Sequence, residues 1–143
     1  MKLKHTLAVL LMLALVLGAA RASTRMDGAA MQIVQEINAE RSARGLQSLR
    51  VDAELMRAAQ IRAEEIVQKF SHTRPDGSRW KTVSTMAYAE NIARGQKTAD
   101  KAVAAWMTSE GHRRNILREG FASTGVACVK NGNVYYWVQI FGK

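Results

Sequence analysis

The chain is poor in the two residues that most restrict covalent and backbone geometry. It has one cysteine, Cys128, and one proline, Pro75, in 143 residues. A single cysteine excludes an internal disulfide, so the folded state must be held by a packed core or by a bound metal. Cys128 lies in the apolar run 125–129, and we interpret it as a small buried side chain rather than a reactive thiol.

Acidic residues are also scarce. The chain has 12 Asp and Glu residues against 21 Lys and Arg residues, which gives a formal net charge of +9. This balance favours anionic partners such as phospholipid, lipopolysaccharide, cell-wall polymers or nucleic acid. The basic side chains are scattered among acids, as at Arg62, Glu64 and Glu65, and no basic tract is interleaved with aromatic residues. Nucleic acid therefore has little support as a partner.

Only one apolar run is long, and it lies at the N-terminus. Residues 6–17 are apolar, follow two lysines and precede the A-x-A sequence Ala20-Arg21-Ala22. This pattern predicts a secretory signal peptide over residues 1–22. Its removal would leave one domain, residues 23–143, with no transmembrane segment and a net charge of +6, because three basic residues and no acidic ones lie in the leader. We therefore expect a secreted protein, periplasmic or extracellular, that is a monomer or a weak dimer.

Helical periodicity predicts three helices in the first two-thirds of the remaining chain. The predicted helices cover residues 28–43, 53–70 and 99–111, each preceded by a capping residue: Asp27, Asp52 and Thr98. The charged side chains of the first two helices are interpreted as a solvated face. Residues 71–78 are predicted to form a loop, 78–85 a short helix, 88–93 an extended segment and 112–117 one further helical turn.

The C-terminal part of the chain changes its period from helical to alternating. Residues 125–130 and 133–141 are rich in Val, Tyr and Trp, and Asn131-Gly132 lies between them. This pair is favoured in two-residue type I′ turns, so we predict a β-hairpin. Helices followed by a hairpin indicate an α+β protein with helices packed on a small antiparallel sheet.

Three motifs carry most of the chemistry of the chain. They cover residues 70–77, 89–93 and 106–117, and the two histidines outside the leader, His72 and His112, lie in the first and the third. Histidine titrates near neutral pH and is a common metal ligand. If the fold brings the motifs together, they form a pocket lined by His and Glu side chains.

These motifs, with the closing residues 136–142, resemble the CAP superfamily of cysteine-rich secretory, antigen 5 and pathogenesis-related proteins. The resemblance covers nearly the whole mature chain and is closest to the small bacterial SCP-like secreted members. It is most specific at residues 106–117, which contain Trp-x-x-Ser-x-Gly-His-Arg-x-Asn-Ile-Leu. The resemblance implies an α-β-α sandwich. It also implies a cleft with two His and two acidic residues that takes a divalent metal in some members.

The site residues follow from the positions of the motifs in that family. His72, Glu90 and His112 match three members of the cleft set. The fourth position, a Glu in eukaryotic members, is Ser109 here, so Glu110 is the candidate one residue further on. The supporting residues are Asn91, Ser109 and Asn115. The implied cofactor is zinc or another divalent metal, which two His and one or two carboxylates are able to hold.

Structural roles for the same residues stay open at this stage. Glu90 would instead tie a loop to the core by accepting hydrogen bonds, and His112 would cap a helix end. Trp106 and Trp137 are expected to be core aromatics.

We hold three hypotheses of function. The first is a secreted, non-enzymatic binding module for an amphiphile or a cell-envelope component, since the resemblance implies lipid or sterol binding for some members. The alternative is a divalent-metal-dependent hydrolase in which Glu90 acts as base or ligand. The third is a host-interaction factor that acts by surface contact, supported only by the positive charge.

Overall fold

The computed structural model describes residues 24–143, so the signal peptide predicted over residues 1–22 lies outside the described residues. The described part of the chain contains four α-helices, one 3₁₀ helix and five strands. In chain order these are β1 (Thr24–Arg25), α1 (Asp27–Ser42), β2 (Arg50–Val51), α2 (Ala53–Gln68), the 3₁₀ helix (Trp80–Val83), β3 (Ala89–Arg94), α3 (Ala99–Thr108), α4 (Glu110–Ile116), β4 (Ser123–Asn131) and β5 (Val134–Gly142).

The five strands form one sheet in the order β1-β4-β5-β3, and β2 pairs with the start of β4. All pairs are antiparallel except β2 with β4, which is parallel. The predicted hairpin is the centre of this sheet, with Cys128 opposite Trp137. Strand β3 lies at the outer edge, with Glu90 opposite Ile140. The α+β class predicted from the sequence is confirmed.

Alternation along β5 sends successive side chains to two different helical layers. Trp137 and Phe141 belong to the cluster that includes α1, α3 and α4. Val138 and Ile140 belong to the cluster that includes α2. The sheet is therefore the middle layer of an α-β-α sandwich, as expected. Trp106 and Trp137 are 1% and 0% exposed, which confirms both as core aromatics.

Of the three predicted caps, Asp52 is confirmed, Thr98 occupies the capping position without a side-chain bond, and Asp27 does not occupy it. The Asp52 carboxylate accepts from the backbone N–H groups of Glu54 at 2.9 Å and Leu55 at 3.1 Å, so it caps α2 as predicted. Asp27 is instead the first helical residue of α1, and Met26 occupies the capping position without a side-chain bond. An acidic residue in the first turn is still favourable, because it is attracted by the partial positive charge of the helix N-terminus.

The turn of the hairpin differs from the prediction by one residue. Asn131 pairs with Val134, so the two loop residues are Gly132 and Asn133 rather than Asn131 and Gly132. A type I′ turn needs positive φ at both loop residues, and only Gly132, at +58°, has it. The predicted type I′ geometry is therefore wrong.

The break between the third predicted helix and the turn that follows it lies two residues earlier than predicted. Helix α3 ends at Thr108, Ser109 is extended with φ −95° and ψ 121°, and α4 begins at Glu110. The single turn predicted after residue 111 is the longer part of α4. His112 therefore lies in the first turn of a helix and not at a C-terminal end, so its predicted capping role is wrong. A protonated imidazole is disfavoured at a helix N-terminus.

Arg41 ties α1 to the chain that follows α4. Its guanidinium is 1% exposed. It donates to the carbonyls of Gln47 at 2.8 Å, Ile116 at 2.7 Å, Arg118 at 3.0 Å and Phe121 at 3.3 Å. Burial lowers the pKa of Arg41. Four carbonyl partners replace the water that the charge loses, so this arginine fixes the end of α4 against α1.

The single cysteine is a buried side chain, as its apolar neighbours predicted. Cys128 is 1% exposed, and burial raises the pKa of its thiol to about 12. This confirms a buried, unreactive cysteine. Within residues 24–143, no helix is both long and apolar enough to cross a membrane.

Gly125 allows α2 to approach the sheet closely, and its substitution tests that contact. A Cβ at this position would lie 2.0 Å from the backbone carbonyl carbon of Leu55. Backbone cannot rotate away as a side chain does, so we expect Gly125→Ala to lower the free energy of unfolding by about 3 kcal/mol or more. Urea unfolding measures this. The matched control is Gly120→Ala, where nothing lies within 4 Å. Equal losses in the two variants would contradict the close approach.

Candidate functional site

A buried ion pair between α2 and β3 is the base of the candidate site. Arg62 Nε donates to Glu90 Oε2 at 2.7 Å, and Arg62 Nη2 donates to Glu90 Oε1 at 3.2 Å. Both side chains are 0% exposed. The prediction that the charged side chains of the first two helices form a solvated face is therefore wrong for Arg62, as it is for Arg41 of α1. The two hydrogen bonds make a bidentate arginine–carboxylate pair, which is a strong form of this contact.

The pair continues outward through a second carboxylate. Arg62 Nη1 donates to Glu65 Oε2 at 2.6 Å, and Arg74 Nη2 donates to Glu65 Oε1 at 2.7 Å. Burial alone would lower the pKa of Arg62, but its bonds to Glu90 and Glu65 outweigh burial and raise it. Burial opposes the ionised form of Glu65, yet its bonds from the two arginines lower its pKa. The network holds two positive and two negative groups, so its charges balance.

His72 joins the network from the loop after α2. Its Nδ1 lies 2.8 Å from Glu90 Oε1. Arg62 Nη2 also donates to the carbonyl of Ser71 at 2.8 Å, which fixes the backbone just before the histidine. Because the carboxylate accepts, Nδ1 is the donor and Nε2 is left for other partners. The His72 side chain is 52% exposed, so that nitrogen is within reach of solvent.

These residues border an open cleft of about 500 Å³. The cleft lies beside the edge strand β3 and the loop that leads to the 3₁₀ helix. Its lining residues are His72, Thr73, Arg79, Trp80, Tyr88, Ala89, Glu90 and Asn115. Two aromatic rings and several polar groups therefore share one surface.

The other face of β3 holds α4 in place. Asn91 is 0% exposed and its Nδ2 donates to the backbone carbonyl of His112 at 3.1 Å. Asn115 Nδ2 donates to Asn91 Oδ1 at 2.9 Å. Adjacent residues of one strand thus serve the two layers, with Glu90 bonded to α2 and Asn91 to α4. Asn91 and Asn115 position α4 against the cleft.

His112 lies near the first histidine without a direct bond to it. Burial, and then the charge of nearby His72, lower the pKa of His112. His112 is not one of the residues that line the cleft. The structure therefore brings the two histidines into the same region, with His72 at the cleft surface and His112 beside it.

Glu110 and Ser109 are placed differently from the other candidates. Glu110 Oε1 accepts from Arg114 Nη2 at 2.7 Å, and its side chain is 79% exposed. Ser109 lies at the junction of α3 and α4, and its carbonyl accepts from the Arg113 backbone at 2.8 Å. Neither residue lines the cleft. The structure therefore brings His72, Glu90 and Asn115 together at the cleft and leaves Glu110 at the helix surface.

The donor set as placed does not fit a divalent metal. Within the described range 24–143, no group of three or more His, Cys, Asp or Glu side chains is arranged to hold a metal ion. The only carboxylate in the cleft, Glu90, already accepts from Arg62 with both oxygens. A metal that shared this carboxylate would lie beside the positive guanidinium, and a metal that displaced the guanidinium would leave a buried charge without its partner.

Sequence reasoning missed Arg79, Trp80 and Tyr88, which line the cleft, and Arg62, which lies buried beneath it. A signal existed only for Arg62. It stands at helical spacing with Leu55, Ala59 and Ile66, on the stripe that faces the sheet. A charged residue on an apolar stripe needs a buried partner. Arg79 and Tyr88 lie outside the helices and strands, and Trp80 begins a short 3₁₀ helix, so no long period indicates which way these side chains point.

The chain belongs to the CAP family, described as the cysteine-rich secretory protein family, which matches residues 34–141. The protein YkwD of Bacillus subtilis (strain 168) is 38% identical over 118 residues, covering 77% of this chain and 45% of YkwD. The chain therefore spans under half the length of that relative.

Solved structures of similar proteins share the fold. An outer surface protein from Borrelia burgdorferi has a TM-score of 0.70 at 19% identity, over 85% of this chain and 98% of its own. An extracellular protein containing an SCP domain from Bacillus anthracis (strain Ames) has a TM-score of 0.69 at 26% identity, over 82% of this chain and 41% of its own. These similarities support the sandwich fold, and both of these proteins are extracellular or at an outer surface.

Removing the arginine from the buried pair tests how much the site depends on it. Arg62→Met leaves the Glu90 carboxylate buried without its charge partner, so we expect a loss of about 3–5 kcal/mol in the free energy of unfolding. Urea unfolding at neutral pH gives the value.

The matched control is Arg57→Met on the same helix. Arg57 pairs with Glu54 at 2.7 Å, but its side chain is 67% exposed. Solvent screens that pair, so its loss should leave the urea midpoint nearly unchanged. Similar losses for Arg57→Met and Arg62→Met would contradict a special role for the buried pair.

The pKa of His112 predicts a pH dependence of stability. Folding lowers this pKa, so the folded protein binds a proton at His112 less readily than the unfolded chain does. In the unfolded chain the histidine has a pKa of about 6.5. This contribution to stability is present above that value and is lost as pH falls through the folded pKa. The free energy of unfolding, measured with urea, should differ less between about pH 5 and pH 7.5 in His112→Asn than in the unsubstituted protein. If the two proteins show the same pH dependence of stability, that dependence comes from groups other than His112.

Proposed function

We propose that this CAP-domain protein is an exported, non-enzymatic binding module whose cleft holds an amphiphile or a component of the cell envelope. One observation carries the proposal. The only carboxylate of the cleft has both oxygens engaged by Arg62, and one also by His72. The cleft thus offers a binding surface without a free carboxylate, which favours binding over a carboxylate-based reaction.

The hydrolase alternative, in which Glu90 acts as base or metal ligand, needs that carboxylate to be free. Glu90 has neither role open while Arg62 donates to it, and Glu110 pairs with Arg114 away from the cleft lining. A glycosidase needs two carboxyl groups across one cleft. Glu90 is the single acidic side chain among the residues that line this one. These contacts favour binding over turnover.

The form of the cleft supports a ligand held at the surface. Its volume, about 500 Å³, is in the range of small-molecule sites. Tyr88 is 51% exposed and Trp80 is partly buried. Aromatic rings supply a large, rigid contact area that loses little conformational entropy on binding. The Arg62–Glu90 tie holds the wall of the cleft before the ligand arrives, which reduces the cost of binding.

Export is supported by the leader pattern of residues 1–22 and by relatives described as extracellular or outer-surface proteins. An exported protein with a net positive charge meets the anionic polymers and lipids of the envelope. The third hypothesis, a host-interaction factor, still rests on charge alone, and no contact described above favours it.

Cosedimentation with envelope material tests the proposal. We expect the exported protein to bind isolated bacterial cell walls or phosphatidylglycerol vesicles in a saturable manner, without releasing soluble fragments from either. Tyr88→Ala removes one exposed ring of the cleft, so it should weaken binding about tenfold, corresponding to the loss of one aromatic contact.

The matched control is Phe70→Ala. Phe70 is an aromatic residue of similar exposure, 44%, that does not line the cleft. It should change binding by less than about twofold. Release of soluble fragments would contradict a non-enzymatic module, and equal effects of Tyr88→Ala and Phe70→Ala would contradict binding at the cleft.

A further inference from the structure

The positive charge of the cleft is not cancelled by the protein itself. Arg79 lines the cleft, and in the part of the chain that the structure describes no acidic side chain pairs with its guanidinium. The two neighbouring arginines differ, because Arg62 is paired with Glu90 and Arg74 with Glu65. Arg79 is thus the arginine of this region whose charge is available to a ligand.

A second cation lies at the edge of the same surface. Lys143 Nζ is 4.5 Å from the centroid of the Tyr88 ring. The negative charge of Glu90 is offset by Arg62 beneath it. The field at the cleft mouth is therefore positive and attracts an anionic group. Guanidinium groups bind carboxylates, as they bind phosphates, through two parallel hydrogen bonds, so Arg79 is able to pair with a carboxylate of the ligand.

The remaining polar groups of the cleft suit hydroxyl groups. Asn115 donates its Nδ2 to Asn91, which leaves its own Oδ1 as an acceptor. His72 donates from Nδ1 to Glu90, which leaves Nε2 as an acceptor in the neutral ring. Two neutral acceptors beside a cation match a ligand with both hydroxyl donors and a negative charge.

The two aromatic rings indicate the shape of that ligand. The C–H groups on one face of a sugar ring form a flat apolar surface that stacks on an aromatic side chain, and Trp80 and Tyr88 both line the cleft. A lipid tail would need an enclosed apolar lining, whereas this cleft is open and five of its eight lining residues are polar or charged.

We propose that the cleft recognises an acidic saccharide, a sugar chain that carries carboxylate groups. The rings of Trp80 and Tyr88 stack on the sugar, Arg79 pairs with the carboxylate, and His72 and Asn115 accept from the hydroxyls. This assignment rests on the proposed function, since it names the ligand class of the same cleft.

Titration with a short galacturonate oligomer and with its methyl ester tests the assignment. The two probes share the sugar chain and differ in charge. Two-dimensional NMR of the full-length exported protein reports binding at the backbone amides of the cleft. We expect the acid to bind at the cleft and the ester to bind about tenfold more weakly. Added salt should weaken the binding of the acid and leave that of the ester unchanged.

Two substitutions that each remove one positive charge separate the cleft from the general field. Arg79→Gln should weaken binding of the acid about tenfold and leave binding of the ester nearly unchanged. Lys81→Gln is the matched control, because Lys81 is exposed, two residues away, and does not line the cleft. It should change neither Kd by more than about twofold, an effect expected of a screened surface charge.

The outcomes distinguish this assignment from the function on which it rests. Envelope binding through the cleft without binding of the galacturonate oligomer, or with equal affinity for the acid and the ester, overturns the acidic saccharide and leaves the binding module. Binding to vesicles alone assigns the cleft to lipid and also overturns the saccharide. Failure to bind walls, vesicles and oligomer overturns both proposals. Equal effects of Arg79→Gln and Lys81→Gln overturn the role of Arg79.

Discussion

The contact between Arg62 and Glu90 is the constraint on which the rest of the site depends. It places a carboxylate on an edge strand, under a loop, where an isolated charge would not be stable. The same guanidinium reaches the Ser71 carbonyl and Glu65, so one side chain joins α2, β3 and the loop that carries His72. The cleft wall is thus held by a buried, charge-balanced network rather than by covalent links, which the cysteine content excludes.

Strand β3 distributes this constraint to both layers of the sandwich. Glu90 faces α2, and the next residue, Asn91, faces α4, where it holds the backbone carbonyl of His112. The alternation of a strand therefore places two different polar anchors at adjacent positions. Each anchor spends its hydrogen bonds on the protein itself. The groups left for a ligand come from the 3₁₀ helix and the loops around it: the rings of Trp80 and Tyr88 and the guanidinium of Arg79.

The sequence predicted those parts of the structure in which a local period or cap determines the conformation. Asp52 begins α2 and the alternating Val, Tyr and Trp residues form the hairpin, both as predicted. The break between α3 and α4 was predicted near Gly111, because glycine is able to close a helix, but it lies at Ser109, where no Gly or Pro marks it. Motif positions named His72, Glu90 and His112. They did not name Arg62, because its partner lies 28 residues away and only the tertiary fold brings them together.

The buried thiol of Cys128 has a consequence for the time before folding is complete. Burial raises the pKa of this thiol to about 12 and shields it from reaction, but only once β4 and β5 have paired. A chain that crosses a membrane unfolded emerges with this thiol exposed to oxidants and to the cysteines of other chains. The hairpin residues are neighbours in sequence, so they pair early and shorten that interval. In an oxidising compartment, slow hairpin closure would appear as mixed disulfides on chains that have not yet folded, and not as a defect of the folded protein.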